Sequence, residues 1–361
     1  MRFLSLRSAL ALGALTFAAA CDSATGPAGP LDPAALQTDV AAASAAVNAP
    51  ASVSLGALGP FMSGALADAG GSFGVAELPP AMLKDPRALL ERAALRAQML
   101  GASGGASIIP LVALGKTFEF DTIADRYVAG TRTGAPANGV RFVLYAVDPI
   151  THALVFPLVE TGYADLTRTV TNQSITARVE AFSGGNASVK VLSYTATVQG
   201  TITNPTVLVA GFARNGGDSL GFTLSSTVSL ANSTIDLDWR TALPTRGLST
   251  RVQQTIAGGA TPRLMIDGLL RGQRCHTVGI TGTILAQSGG TLLVKVNGNA
   301  FATIALDGLV DETPTVLGAN GQPLTPAEQA MLRQIIEWFQ GAFEIYEALL
   351  APAARLLDIV T

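Results

Sequence analysis

Two cysteines and two histidines are all that 361 residues contain, and this scarcity removes several kinds of chemistry at once. A metal centre needs clustered His, Cys or carboxylate ligands at short spacing, whereas His152 and His276 stand far apart in the sequence. Basic residues are scarce as well: 23 Lys and Arg face 26 Asp and Glu, for a net charge of −3, and no basic cluster occurs. Nucleic acid, which is bound largely by phosphate neutralisation, is therefore not an expected partner. After the N-terminal leader, no apolar run reaches the roughly 18 residues that a membrane-crossing helix requires. With few thiols, stability has to come from a packed core, which a chain of this length can bury.

The leader reads MRFLSLRSALALGALTFAAAC: Arg2 and Arg7, then a mostly apolar stretch from Ala9 to Ala20 that ends in small residues. That is the anatomy of a secretory signal over residues 1–20. Ala18, Ala19 and Ala20 directly before Cys21 resemble the lipobox of bacterial lipoproteins. The resemblance implies cleavage before Cys21, lipidation of its thiol, and a membrane partner reached through that N-terminal lipid anchor, in the bacterial cell envelope. The alternative is an ordinary secretory signal with Cys21 present by chance. Residues 21–33, which include SATGPAGPLDP, read as a flexible tether. Asp22 is similar to an inner-membrane retention signal of some enteric bacteria, a rule that does not travel between phyla, so the choice of membrane stays open. Lipidation of Cys21 would leave Cys275 as the one free thiol, with no intramolecular disulfide.

Residues 34–115 are rich in Ala and Leu and read as a helical segment. Asp32-Pro33 starts a helix over Ala34 to Asn48 that ends before Pro50. DPRALLERAALRAQML predicts a second, with Asp85 as N-cap, Pro86 at the first helical position and Leu89, Leu90, Ala93, Ala94 and Ala97 near helical spacing. The stretch between them, GPFMSGALADAGGSFGVAE, reads as irregular or as one short helix. At about Lys116 the composition turns to Thr, Val, Ser and Gly with period-two alternation. In STIDLDWR, Ile235, Leu237 and Trp239 point one way and Asp236, Asp238 and Arg240 the other; SITARVEAF opposes Ile175, Ala177, Val179 and Ala181 to Thr176, Arg178 and Glu180. Turn signals at Asn138-Gly139, DPITH, SGGN and above all Asn297-Gly298 divide residues 116–320 into an antiparallel meander. Parallel β-α-β architecture is not expected, because crossover helices are missing. Residues 321–361 return to an amphipathic helix that forms one domain with the sheet: Thr325, Pro326 and Glu328 form a capping box. Leu332, Ile335, Phe339, Ala342, Tyr346 and Leu349 make its stripe, Met331, Ile336, Trp338, Phe343 and Ile345 widen it, and Pro352 marks its end.

The motifs that carry chemistry are weak. Ser219 lies inside both G-x-S-x-G (Gly217 to Gly221) and GDSL, each similar to a serine-esterase signature. The α/β-hydrolase elbow needs a helix after its serine, but GFTLSSTVSL reads as a strand. GDSL-type esterases carry the tetrapeptide near the mature N-terminus and pair it with Asp-x-x-His, which neither His152 nor His276 provides. Asn215-Gly216-Gly217-Asp218 is instead turn chemistry, with two glycines able to take positive φ. Cys275-His276 could suggest a thiolate nucleophile, but neighbours on a strand point to opposite faces, which leaves a packed thiol beside a surface imidazole; His152 reads as solvent-exposed. Asp236 and Asp238 read as the wet face of a sheet, and Asp307, Asp311 and Glu312 as a polar loop in which calcium is the alternative. GASGG lacks the strand and the lysine of a phosphate loop.

The expected fold is α+β: a large curved antiparallel sheet, a meander resembling a half-barrel, with N- and C-terminal helices packed on it; two consecutive β-sandwiches are the alternative. The combination of lipid anchor, meander and apolar helix resembles the half-barrel lipoprotein carriers of bacterial envelopes, in architecture only. That implies a non-catalytic envelope lipoprotein binding a hydrophobic ligand or lipid, with Leu332, Ile335, Phe339, Phe343 and Tyr346 facing the ligand. The rivals are a structural or interaction lipoprotein whose core is filled by its own side chains, with an envelope protein as partner, and a serine hydrolase using Ser219. No cofactor, metal or catalytic residue is assigned.

Overall fold

The computed structural model describes residues 33–68, 109–336 apart from short gaps (149–150, 152, 172, 185–187, 202, 259–260, 273–275, 286–287, 307–313), and residues 350 and 353. Two helices come first, α1 (Pro33–Val47) and α2 (Pro50–Asp68). Then follow β1 (Thr117–Asp121), β2 (Arg126–Ala129), β3 (Gly139–Tyr145), β4 (Glu160–Val170), β5 (Ser174–Ser183), β6 (Lys190–Thr201), β7 (Asn204–Asn215) and β8 (Asp218–Ser229). The series continues with β9 (Thr234–Leu243), β10 (Leu248–Ala257), β11 (Arg263–Arg271), β12 (Thr277–Leu285), β13 (Gly289–Val296), β14 (Asn299–Leu306) and β15 (Thr315–Gly318). A last helix, α3, occupies 326–336.

All 15 strands join one open, curved sheet in the order β15 down to β3, then β1 and β2, so the fold is α+β as expected. From β3 to β15 each strand pairs antiparallel with its sequence neighbour. The exception lies at one edge, where β1 inserts between β2 and β3 and runs parallel to β3 through Thr117↔Arg141 and Phe118↔Phe142. So short a parallel contact needs no crossover helix, and the missing helices gave no warning of it. The strongest turn signal holds: Asn297 and Gly298 both take positive φ, 51° and 81°, between β13 and β14.

Because side chains alternate along a strand, unbroken register carries one apolar face across the sheet. One rung runs Val140, Leu166, Val179, Tyr194, Gly211, Phe222. Another runs Val228, Ile235, Ile256, Leu264, Ile284. The opposite face carries Asp165, Arg178, Thr195, Thr223, Asp238 and Arg251.

Over β2 to β8 that apolar face is covered by helices. α2 packs across β2 to β6 and α1 on β7 and β8. Of the two readings left open for 59–77, irregular or one short helix, the structure has helix over Gly59 to Asp68, as the second half of α2, whose first half at 50–58 the sequence reading did not assign. Gly56, Gly59, Pro60 and Gly64 are poor helix formers, costing about 1 kcal/mol per glycine and about 3 for proline. Ala51, Leu55, Leu58, Met62, Ala65 and Leu66 are nonetheless all buried along one side. Each fully buried large apolar side chain contributes about 1.5–3 kcal/mol, so packing overrides propensity. Phe61 meets Phe120 edge-on at 5.6 Å. The α1–α2 pair, bent by 59°, is apolar enough in composition to suggest a membrane span, but Ala43, Ala46, Val47, Leu55 and Leu58 are spent on the sheet. Among the described residues no single helix is long and apolar enough to cross a membrane.

Gly211 shows how tightly the rung is built. It stands between Tyr194 and Phe222, whose rings lie 6.1 Å apart, and a Cβ there would sit 2.3 Å from both the Ser193 carbonyl oxygen and Tyr194 Cβ. Gly211→Ala should therefore destabilise the protein, by about 1–3 kcal/mol as overpacked cores do, although alanine normally favours the folded state over glycine. Urea unfolding of the variant would measure this, and an unchanged midpoint would show that the rung yields.

Candidate functional site

The α1–α2 corner meets the ends of β4 to β7 around a half-enclosed cleft of about 630 Å³. Its walls come from Ala49, Pro50 and Ala51 on the helix side and from Glu160, Thr161, Ser183, Val191 and Asn215 on the strand side. An antiparallel meander brings the starts of β4 and β6 and the ends of β5 and β7 to one end of the sheet. There the helix corner closes over them.

Each wall is fastened by its own hydrogen bond. Ser54 Oγ and Thr161 Oγ1, 2.9 Å apart, tie α2 to β4. Asn215 Nδ2 donates to the Ala45 carbonyl at 3.2 Å and ties β7 to α1. Ser183 Oγ accepts from the Val189 N–H at 3.2 Å and closes the β5–β6 loop. Arg214 Nε donates to the Lys190 carbonyl at 3.0 Å. The cleft's carboxylate, Glu160, already accepts from Arg132 at 2.8 Å. The Arg214 terminal nitrogens have no partner among the described residues.

On the outer face, by contrast, charges neutralise one another. Arg141 grips Asp165 with two bonds of 2.7 and 2.8 Å and lies 3.8 Å over the Tyr163 ring; that ring stacks on Phe182 at 4.7 Å. Burial works to raise the Glu180 carboxyl, but hydrogen bonds from Lys190 and Arg178 hold it below its ordinary range. Asp238 accepts from Arg240 at 3.0 and 2.8 Å and from Arg251 at 3.4 and 3.0 Å. Arg240 first, then Arg251, hold its carboxyl down to about 2 against burial.

The residues singled out in the sequence fall in different places. Ser219 is the second residue of β8, paired with Arg214 across the hairpin; the turn before it uses Gly216 with φ 61°, while Gly217 does not take positive φ. Asp236 accepts a bond of 2.6 Å from Thr255 and shares the outer face with Asp238. Reading His276 as a surface imidazole was wrong: it is only 8 % exposed, and its Nδ1 has no hydrogen-bond partner among the described residues. It precedes β12, and the Gly272 N–H donates to its carbonyl at 2.9 Å. Leu332 and Ile335, expected to face a ligand, are buried in the main core. Cys21, His152, Cys275, Phe339, Phe343 and Tyr346 lie outside the described residues, as do Asp307, Asp311, Glu312 and the helix predicted from Asp85. Among the described residues no three His, Cys, Asp or Glu gather as metal ligands. The cleft escaped the sequence reading because its walls are scattered from Ala49 to Gly216 without a motif.

The Asp238 cluster sets an acid limb of stability. A carboxyl held below its unfolded value of 3.8 contributes stability above about pH 4, which is lost as pH falls toward 2. Asp238→Asn should therefore cost up to about 1 kcal/mol at pH 7, discounted for solvent screening, with the difference vanishing near pH 2. Thermal melts of both proteins between pH 2 and 7 test this; a constant gap at every pH would refute the charge linkage. Comparison with protein-family models, curated proteins and solved structures finds no match for the chain.

Proposed function

We propose that the chain is a non-catalytic lipoprotein of the bacterial cell envelope, held to a membrane through Cys21 and acting through its outer surfaces on an envelope partner. The observation that carries the choice between carrier and interaction protein is the packing of α3. Leu332 is 4 % exposed and Ile335 0 %, in the same core as α1, α2 and the sheet. Further along, Ala353 joins that core and its backbone hydrogen-bonds the Tyr194 hydroxyl. A carrier of hydrophobic ligands keeps an apolar pocket of several hundred cubic ångströms for its cargo, whereas α3 spends Leu332 and Ile335 on the core, and the cleft of about 630 Å³ lies at the strand ends beside Glu160 and Arg214 rather than under α3. The anchor reading rests on Ala18 to Cys21 and the Gly/Pro-rich tether.

Native mass spectrometry with lipid extraction tests both halves. The full chain purified from its own envelope should carry acyl chains on Cys21. The Cys21→Ser chain should leave the membrane fraction and contain no stoichiometric lipid. An unmodified Cys21 would remove the anchor, and lipid retained by the Cys21→Ser chain would restore the carrier reading.

A further inference from the structure

We propose that the cleft between the α1–α2 corner and the ends of β4 to β7 binds a small organic monocarboxylate with a short apolar body. The site is preformed, since the four bonds that fasten its walls consume the polar side chains that could otherwise collapse into it. What is left over is one cation. Arg214 is oriented through Nε, which turns its guanidinium into a fixed fork whose terminal nitrogens are unspent among the described residues. Such a fork matches the two oxygens of one carboxylate.

The surroundings set the charge and the shape of the ligand. A single guanidinium neutralises one negative charge, and no other cation among the described residues lines the cleft to meet a second, since Glu160 beside it is paired with Arg132 outside the lining. A phosphate dianion is therefore disfavoured relative to a monocarboxylate. Beside the cation, Pro50, Ala51, Val189 and Val191 offer apolar surface, and Val189 is 45 % exposed with nothing of its own to cover it. Gly216 leaves an open rim, with no atom within 4 Å of where a Cβ would stand. The volume of about 630 Å³ is in the range of small-molecule sites. This site does not depend on the lipid anchor, and its failure would leave the anchor reading untouched.

Ligand-observed NMR on the full chain, with hexanoate, acetate and inorganic phosphate as probes, tests the assignment. Hexanoate should bind saturably in the millimolar range, tighter than acetate, with phosphate weakest. Arg214→Gln should weaken hexanoate about tenfold or more, the loss expected for a charge-assisted pair. Because Arg214 also holds Lys190, a second variant guards against misfolding: Val189→Ser, at an exposed position, should bring hexanoate down to the affinity of acetate. Phosphate binding tighter than hexanoate, or hexanoate binding unchanged in both variants, would overturn the proposal, as would the absence of saturable binding by the parent chain.

Discussion

An open sheet with one largely apolar face cannot be left in water, and that constraint organises the molecule. The face arises from register alone. Antiparallel neighbours with few irregularities keep side-chain parity from Val140 on β3 to Val316 on β15, so every strand adds apolar area to the same side. The helices answer this demand in two ways. Beside β1 and β3, bulky rings fill the space, with Phe118 stacked on Phe142 at 5.0 Å. Over β4 to β7 the sheet side mixes Ala164, Ala177, Ala181, Ala196 and Ala213 with Leu166, Val179, Leu192 and Tyr194, faced by a helix pair that buries Ala43, Ala46, Ala49, Ala51 and Ala65.

Filling the inside moves function to the outside. The outer face has spent most of its charge internally, in Arg141–Asp165, in Glu180 between Arg178 and Lys190, and in Asp238 between Arg240 and Arg251. Cross-strand threonine pairs, Thr176–Thr197 and Thr206–Thr227, add hydroxyls that bond to one another. A surface so self-satisfied gains little by binding a single charged group, because each exposed ion pair is already solvated and worth little. Arg214 differs. It is fixed in position and, among the described residues, left without an anion, and such a residue is informative because most cations of the outer face are paired.

The sequence exposed the fold wherever side-chain period was the whole argument. STIDLDWR placed Ile235, Leu237 and Trp239 on the buried face, SITARVEAF did the same for Ala177, Val179 and Ala181, and Thr325 and Glu328 form the expected capping box, with bonds of 2.8 and 3.4 Å to each other's groups. It concealed whatever tertiary contact decided. Residues 59–77 read as irregular or as one short helix because Gly59 and Pro60 argue locally against a longer one, and the sheet beneath Leu58 and Met62 reverses that. His276 looked exposed because one residue on a strand end has no period to read. The parallel β1–β3 contact rests on two residue pairs, too few to leave a pattern.

The location of the cleft follows from the same topology. In an up-and-down meander every second turn falls at one end of the sheet, so residues as distant as Thr161, Ser183 and Asn215 converge there without any local signal. Strand interiors cannot vary much: their inward positions are committed to the core and their outward positions to ladders of threonine and paired charge. Strand ends escape both demands, because pairing stops there and the α1–α2 corner covers them through side-chain bonds to Thr161 and Asn215 while leaving the Arg214 terminal nitrogens without a partner among the described residues. Ala45 and Asn215, 170 residues apart, are joined at this corner by a hydrogen bond. A fold built this way concentrates its unspent chemistry at the ends of its strands, which is why one arginine at the end of β7 says more about binding than the many side chains displayed along the sheet.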